Sequence, residues 1–188
     1  MIVQTETDWE AVLVDDGSTD GTHSEIIPYL KEYPKIKYLK KVHSGEAKSK
    51  NEGIRASKGR YISFLDSDDE YDPHHLEHRK RILIQNPGVK FLYGGVQIIG
   101  KRFVPDRFDY SKTIDLKDCA IGGTFFIEEN VLFQLNGFRN IPLGTDAHLF
   151  DRAKEAGINM METRKKTYIY HHETQDSITN NLYLIDRP

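Results

Sequence analysis

The sequence predicts an α/β fold in which a mixed, mostly parallel sheet is flanked by helices. Two patterns lead there. Short apolar runs of strand length alternate with amphipathic stretches of helix length, the rhythm of strand–helix–strand units. Two of the apolar runs, Val12-Leu13-Val14 and Phe64-Leu65, each end in an acidic turn, Asp15-Asp16-Gly17-Ser18 and Asp66-Ser67-Asp68-Asp69. In a parallel sheet both turns fall on one rim, where open α/β sheets bind ligands. The chain has 188 residues, 38% of them hydrophobic and 11% aromatic, enough for one buried core and a single domain. That domain is expected to divide into two halves, over about residues 1–99 and about 100–188.

In chain order, Glu10 to Val14 reads as a buried strand. Thr22 and Glu25 form a T-x-x-E capping box for a helix that contains Pro28. Ile36 to Val42 alternates as a strand, and Gly45 to Ser57 reads as a helix stopped by Gly59. Tyr61 to Leu65 is a second apolar strand. Asp72 then reads as an N-cap with Pro73 at the first helical position, in a helix running to about Asn86 before Pro87-Gly88. Phe91 to Ile99 is a strand. Residues 100–121 carry many charges and no clear period. Gly123 to Ile127 reads as a strand, Glu128 to Asn136 as a short helix, Thr145 to Ala156 as a helix, Thr167 to Tyr170 as a last strand, and the tail after His171 is polar.

Composition narrows the function. A formal net charge of -3 gives no basic excess, so nucleic acid is not an expected partner. No run of 18 apolar residues exists to span a membrane, and the start MIVQTETDWE has no signal-peptide pattern. Cys119 is the single cysteine, which rules out an intrachain disulfide and a thiolate metal cluster. A cytoplasmic location is expected, with the inner face of the membrane as the alternative.

The acidic turns carry the chemistry. Asp66 and Asp68, two apart on an extended segment, point to one side and suit one hard cation, or a cation and a sugar hydroxyl. Mg²⁺ or Mn²⁺ prefers oxygen ligands and keeps waters and phosphate oxygens in its shell, which matches a nucleoside diphosphate. The plainer reading is an acidic loop that caps the next helix. His74 and His78 stand four apart on a predicted helix, but no HExxH pattern or third ligand supports zinc there.

The stretches AVLVDDGSTDGT (Ala11 to Thr22) and KNEGIRASKGRYISFLDSDDEYDPHHLE (Lys50 to Glu77) resemble the family 2 glycosyltransferases, whose fold is of the GT-A type. LNGFRNIPLGTDAHLFDRAKEAG (Leu135 to Gly157) looks like a degenerate third motif. The resemblance implies transfer of a sugar from a nucleotide sugar to an acceptor hydroxyl, with inversion. It places Asp15 and Asp16 at the nucleoside, Asp66 at the ribose and Asp68 at a metal-bound diphosphate. Lys50, where the family has arginine, faces the phosphate or the carboxylates. The divalent cation, Mn²⁺ or Mg²⁺, offsets charge on the leaving diphosphate. Asp146 is the implied general base, in a pair whose first member is Thr145 rather than the family's glutamate. A histidine before a serine such as Ser177 matches His171 or His172, with His172 favoured as a contact to the diphosphate or metal. The donor implied is a UDP-sugar, and the acceptor a growing glycan or a lipid-linked sugar, with peripheral membrane association possible for the latter.

One departure is large. The family opens with a strand, a P-x-Y-N turn and a helix ending in Q-T, and the likeness here starts at Ile2-Val3-Gln4-Thr5. That strand lies in mid-sheet, and its neighbours' backbone groups need partners. Three expectations follow: an artificial start, a rearranged fold, or another chain in the gap, the last making a homo-oligomer an expected state. Two rival functions stay open, a nucleotide-sugar-binding module without turnover and a metal-dependent phosphohydrolase using Asp66 and Asp68. The second usually needs D-x-D-x-[TV], where this chain has Asp69-Glu70.

Overall fold

A computed structural model describes residues 1–173 of the chain. Ser177 and the rest of the tail lie outside the described residues. The order begins β1 (Ala11–Asp15), α1 (Thr22–Glu32), β2 (Ile36–Lys40), α2 (Glu46–Ala56), β3 (Tyr61–Ser63), β4 (Glu70–Tyr71) and α3 (His75–Gln85). It continues with β5 (Phe91–Tyr93), β6 (Val96–Gly100), β7 (Phe103–Asp106), β8 (Asp109–Asp115), β9 (Phe126–Glu128), α4 (Glu129–Gln134), α5 (Thr145–Glu155), β10 (Met160–Glu162) and β11 (Tyr168–His172).

The strands form four groups: β1-β2, β10-β5-β9-β3, β4-β11-β6 and the hairpin β7-β8. β1/β2, β10/β5 and β11/β6 pair in parallel. β4/β11, β3/β9, β5/β9 and β7/β8 pair antiparallel, so the sheet is mixed. The main core lies between these strands and the helices that cover them. α2 contributes Ala47 and Ile54, β3 Ile62, α4 Val131 and Leu132, and α5 Leu149 and Ala153, around the rings of Phe64, Phe91, Phe125 and Phe138. Each large side chain buried this way contributes roughly 1.5–3 kcal/mol.

Several local expectations are corrected. α1 starts after Gly21 with no side-chain cap, because the Thr22 hydroxyl donates instead to Asp20 Oδ1. α3 starts at His75, and Asp72 Oδ1 accepts the His74 amide at 2.8 Å in a turn before the helix. The strand expected over 91–99 is two strands, because Gly94 and Gly95 take φ of 82° and 76°, a left-handed bend open to glycine. The unassigned residues 100–121 hold the β7-β8 hairpin, whose charges face water on a two-stranded ribbon with little burial to create a period. β4 and β10, two and three residues long, fall below the length at which alternation can be read.

β1 pairs only with β2, and β3 only with β9, so each has one edge without a strand partner among the described residues. α2 packs on β1 and shares a core with Ile62 of β3. Just before the two strands, the Glu10 carboxylate accepts the Lys58 amide. Two open edges therefore lie under one helix, with Leu13 of β1 37% exposed.

Candidate active site

Asp15 closes β1 and is buried. Its Oδ1 accepts the Ser18 amide at 2.6 Å and its Oδ2 the Tyr38 hydroxyl from β2. The Tyr38 bond, then Ser18, hold its carboxyl down to about 2. Asp16 turns towards the start of α2, where it accepts the amides of Ser44 at 2.9 Å and Gly45 at 2.8 Å. Burial works against its charge, but those amides and Lys41 outweigh it and hold the carboxyl at about 2. A carboxylate at a helix N-terminus also meets the positive end of the helix dipole.

Lys50 is the centre of the site. Its side chain is 9% exposed, and Nζ lies 2.6 Å from Glu46, 3.4 Å from Asp66 and 3.5 Å from Asp146. Burial lowers the lysine pKa, and the carboxylates of Asp146, Asp66 and Glu46 raise it by more, so it stays charged. The carboxyls of Asp66 and Glu46 are raised, first by burial, with Lys50 opposing. One cation thus serves three carboxylates from α2, the end of β3 and the start of α5.

Asp146 is fixed from its other side. The Gly122 amide donates to its Oδ2 at 2.9 Å, and a methyl group on Gly122 would stand 2.4 Å from the carboxylate. Only glycine permits that approach. Gly144 in the left-handed region starts α5, and the Thr145 hydroxyl lies 3.5 Å from Asp146 Oδ1.

Asp68 is exposed and makes no side-chain hydrogen bond or ion pair among the described residues. Asp69 is buried, accepts from the Tyr168 hydroxyl and, at 2.8 Å, from the His171 amide, and burial raises its carboxyl to about 6. Glu70 meets His171 Nε2 at 2.9 Å. The structure brings together Lys50, Asp66 and Asp146, and sets Asp15 and Asp16 at the neighbouring strand end. His172 is turned inward: the residue is 1% exposed, Nδ1 lies 2.9 Å from the Lys101 carbonyl, and Nε2 is buried without a partner among the described residues. Among the described residues no group of three His, Cys, Asp or Glu side chains is placed to hold a metal. The donor set nevertheless fits a hard divalent ion of open shell, since Asp68 offers a free carboxylate and diphosphate oxygens and water would complete the sphere. His74 pairs with Glu77 and Thr5, and His78 with Thr163, so they do not form a joint site.

Three contributors escaped the sequence reading. Glu46 had a signal, its i,i+4 spacing to Lys50. Gly122 acts through its backbone, which leaves no pattern in side chains. Tyr170 has its phenol raised first by burial and then by the charges of Asp69, Asp66, Asp68 and Asp146. Its ring stacks on His172 at 5.8 Å.

The fold thus gathers carboxylates from α2, the end of β3 and the start of α5 on one lysine at the strand rim. The profile of glycosyl transferase family 2 matches residues 1–136, and the chain belongs to that family. It is 33% identical over 129 residues to the E. coli UDP-Glc:alpha-D-GlcNAc-diphosphoundecaprenol beta-1,3-glucosyltransferase WfgD, covering 65% of this chain and 49% of WfgD. It is 34% identical over 127 residues to the putative teichuronic acid biosynthesis glycosyltransferase TuaG of Bacillus subtilis, covering 63% and 50%. The chain thus spans about half the length of these relatives. In fold it is similar to S. aureus TarS in complex with UDP-GlcNAc, with a TM-score of 0.77 at 19% identity over 94% of this chain and 54% of that one. It is also similar to the Pyrobaculum calidifontis mannosyltransferase PcManGT in complex with GDP-Man and Mn²⁺, with a TM-score of 0.68 at 19% identity over 89% and 50%. The chain has the mixed α/β fold of the GT-A type.

Proposed function

We propose that this chain carries the donor and base groups of an inverting transfer from a UDP-sugar to an acceptor hydroxyl. The convergence of Asp66 and Asp146 on Lys50 is the observation that carries the reading. It sets a donor-side carboxylate and a helix-terminal carboxylate on one cation at the carboxyl end of β3. Asp15 and Asp16 hold the nucleoside, Asp66 its ribose, and Lys50 balances the phosphate charge.

In the reaction, the acceptor oxygen bonds to the anomeric carbon from the face opposite the diphosphate. The bond from that carbon to the diphosphate oxygen breaks, and its electron pair leaves with UDP. The acceptor hydroxyl proton goes to the Asp146 carboxylate. The Gly122 amide and Lys50 aim that carboxylate. Asp68 would hold Mn²⁺ or Mg²⁺, which when bound would neutralise charge on the leaving diphosphate; His172, turned into the protein against the Lys101 carbonyl, is not placed to share it.

The acceptor is a glycan or a lipid-linked sugar; the acceptor in the name of WfgD, a GlcNAc-diphosphoundecaprenol, supports the second. No helix among the described residues is long and apolar enough to cross a membrane. The test is calorimetry with UDP and GDP in Mn²⁺, alongside assays of sugar transfer and of phosphate release from monoesters. UDP binding with transfer supports the reading. UDP binding without transfer to any acceptor mixture favours a binding module, and monoester hydrolysis favours a phosphohydrolase.

A further inference from the structure

We propose that the basic surface formed by α3 and the loop between β10 and β11 docks the protein on an anionic phospholipid membrane. The docking stands on charge and exposure; its use, which is to bring the site to a lipid-linked acceptor, rests on the transfer reading above. The loop reads Thr163-Arg164-Lys165-Lys166-Thr167, and its three basic residues are all exposed, as is Arg81 on α3. A chain of hydrogen bonds joins the two elements. The Thr163 hydroxyl meets His78 Nε2 at 3.0 Å and the Lys165 amide at 3.4 Å, and Arg81 Nη2 meets His78 Nδ1 at 3.3 Å.

Arg81, Arg164, Lys165 and Lys166 make no ion pair among the described residues. Glu77, the acid on the same stretch of α3, is paired with His74 at 2.9 Å, and Lys80 with Glu6. His78 registers the result: its imidazole is lowered, first by burial and then by Lys165, Arg81 and Arg79. Four positive charges thus stand together on a chain whose formal net charge is -3, so the charge is segregated onto this face. β3 and β5 both pair antiparallel with β9, and β10 runs parallel with β5. β3, β5 and β10 therefore point the same way, and the basic loop leaves β10 at the rim where Asp66 lies just beyond β3.

A lipid surface fits the patch better than other polyanions. Basic residues within a Debye length of an anionic leaflet each strengthen binding by roughly fivefold. Ile84 lies three residues on from Arg81, on the same side of α3, and is 70% exposed. An apolar side chain beside basic ones suits the boundary between headgroups and acyl chains. Neither α3 nor the loop carries a Phe, Tyr or Trp on which a nucleic-acid base could stack.

Vesicle flotation tests the docking, because protein without lipid, aggregated or not, stays at the bottom of the gradient. The vesicles are phosphatidylcholine alone and phosphatidylcholine mixed with phosphatidylglycerol. We expect binding to the mixed vesicles to be about tenfold tighter or more, and to be lost in high salt. Lys165→Glu combined with Lys166→Glu should weaken that binding by about tenfold or more, and Ile84→Ser by about threefold, with melting temperature and UDP affinity unchanged. Equal binding to the two kinds of vesicle, or a double variant that binds as the wild type does, would overturn the docking. A chain that binds duplex DNA or polyglutamate more tightly than mixed vesicles would overturn it too, by giving the patch another partner. Vesicle binding that follows the charges in a protein that binds no UDP would keep the docking and overturn the transfer reading.

Discussion

Lys50 on α2 reaches Asp146 on α5, with Nζ 3.5 Å from Oδ1, and the same nitrogen touches Glu46 and Asp66. A largely buried cation shared by three carboxylates ties α2 to the end of β3 and the start of α5. Removing it leaves three like charges close together with their compensation gone.

Lys50→Met is therefore expected to destabilise the fold by about 3 kcal/mol at neutral pH, the scale for breaking a buried ion pair from one side. The deficit should shrink as pH falls from 7 towards 4, because protonation of the freed carboxylates removes their repulsion. Denaturant melts of wild type and variant across that range read this directly. An equal deficit at every pH would show that Lys50 acts through packing alone.

Asp15 and Asp16 bring a second pH dependence. Both carboxyls sit at about 2 against an ordinary 3.8. A lowered folded pKa contributes stability that is present above about pH 4 and is lost as pH falls through 4 towards 2. Asp16→Asn should flatten the acid limb of the stability curve in that window and leave the neutral limb parallel to wild type. Thermal melts from pH 6 to about 2 test it.

The open edges of β1 and β3 lead to a third expectation. Unpaired strand edges bind other strands, and charges on an edge suppress that. Residues 1–188 alone are expected to self-associate at micromolar concentration, and Leu13→Lys on β1 to shift the protein towards monomer. Light scattering on both proteins decides it: a wild type that is monomeric throughout would mean the edges are shielded.

Asp68→Ala should abolish the Mn²⁺-dependent part of UDP binding with little change in melting temperature. The carboxylate is exposed and has no side-chain partner among the described residues, so its loss relieves repulsion and removes no described contact. UDP affinity in Mn²⁺ that is the same in both proteins would take the metal away from Asp68.

The sequence made the rim legible because its signals are local. An apolar run ending in two carboxylates states both the strand and the ligand groups, so Asp15, Asp16, Asp66 and Asp68 all lie at or just beyond strand ends. Lys50 and Asp146 came through motif likeness, but their contact is a tertiary fact that no spacing encodes. Glu46 was passed over because an i,i+4 pair on a helix is usually a surface pair, and only packing reveals that this one faces the site. The inward turn of His172 was equally hidden, since a strand residue's face depends on which neighbour it pairs with. β7-β8 carries no period to read, and the Gly94-Gly95 bend shows how two left-handed residues divide what reads as one strand.

The account turns on Asp146 as the base, and Asp146→Asn tests it most directly. The substitution keeps shape but cannot accept a proton at neutral pH. Transfer from UDP-sugar should fall by roughly 10² or more, the usual scale for loss of a general base, while UDP affinity by calorimetry stays close to wild type. An unchanged kcat with donor binding intact would contradict the assignment and move the base to another carboxylate, with Glu46, held on the same lysine, the first to substitute next.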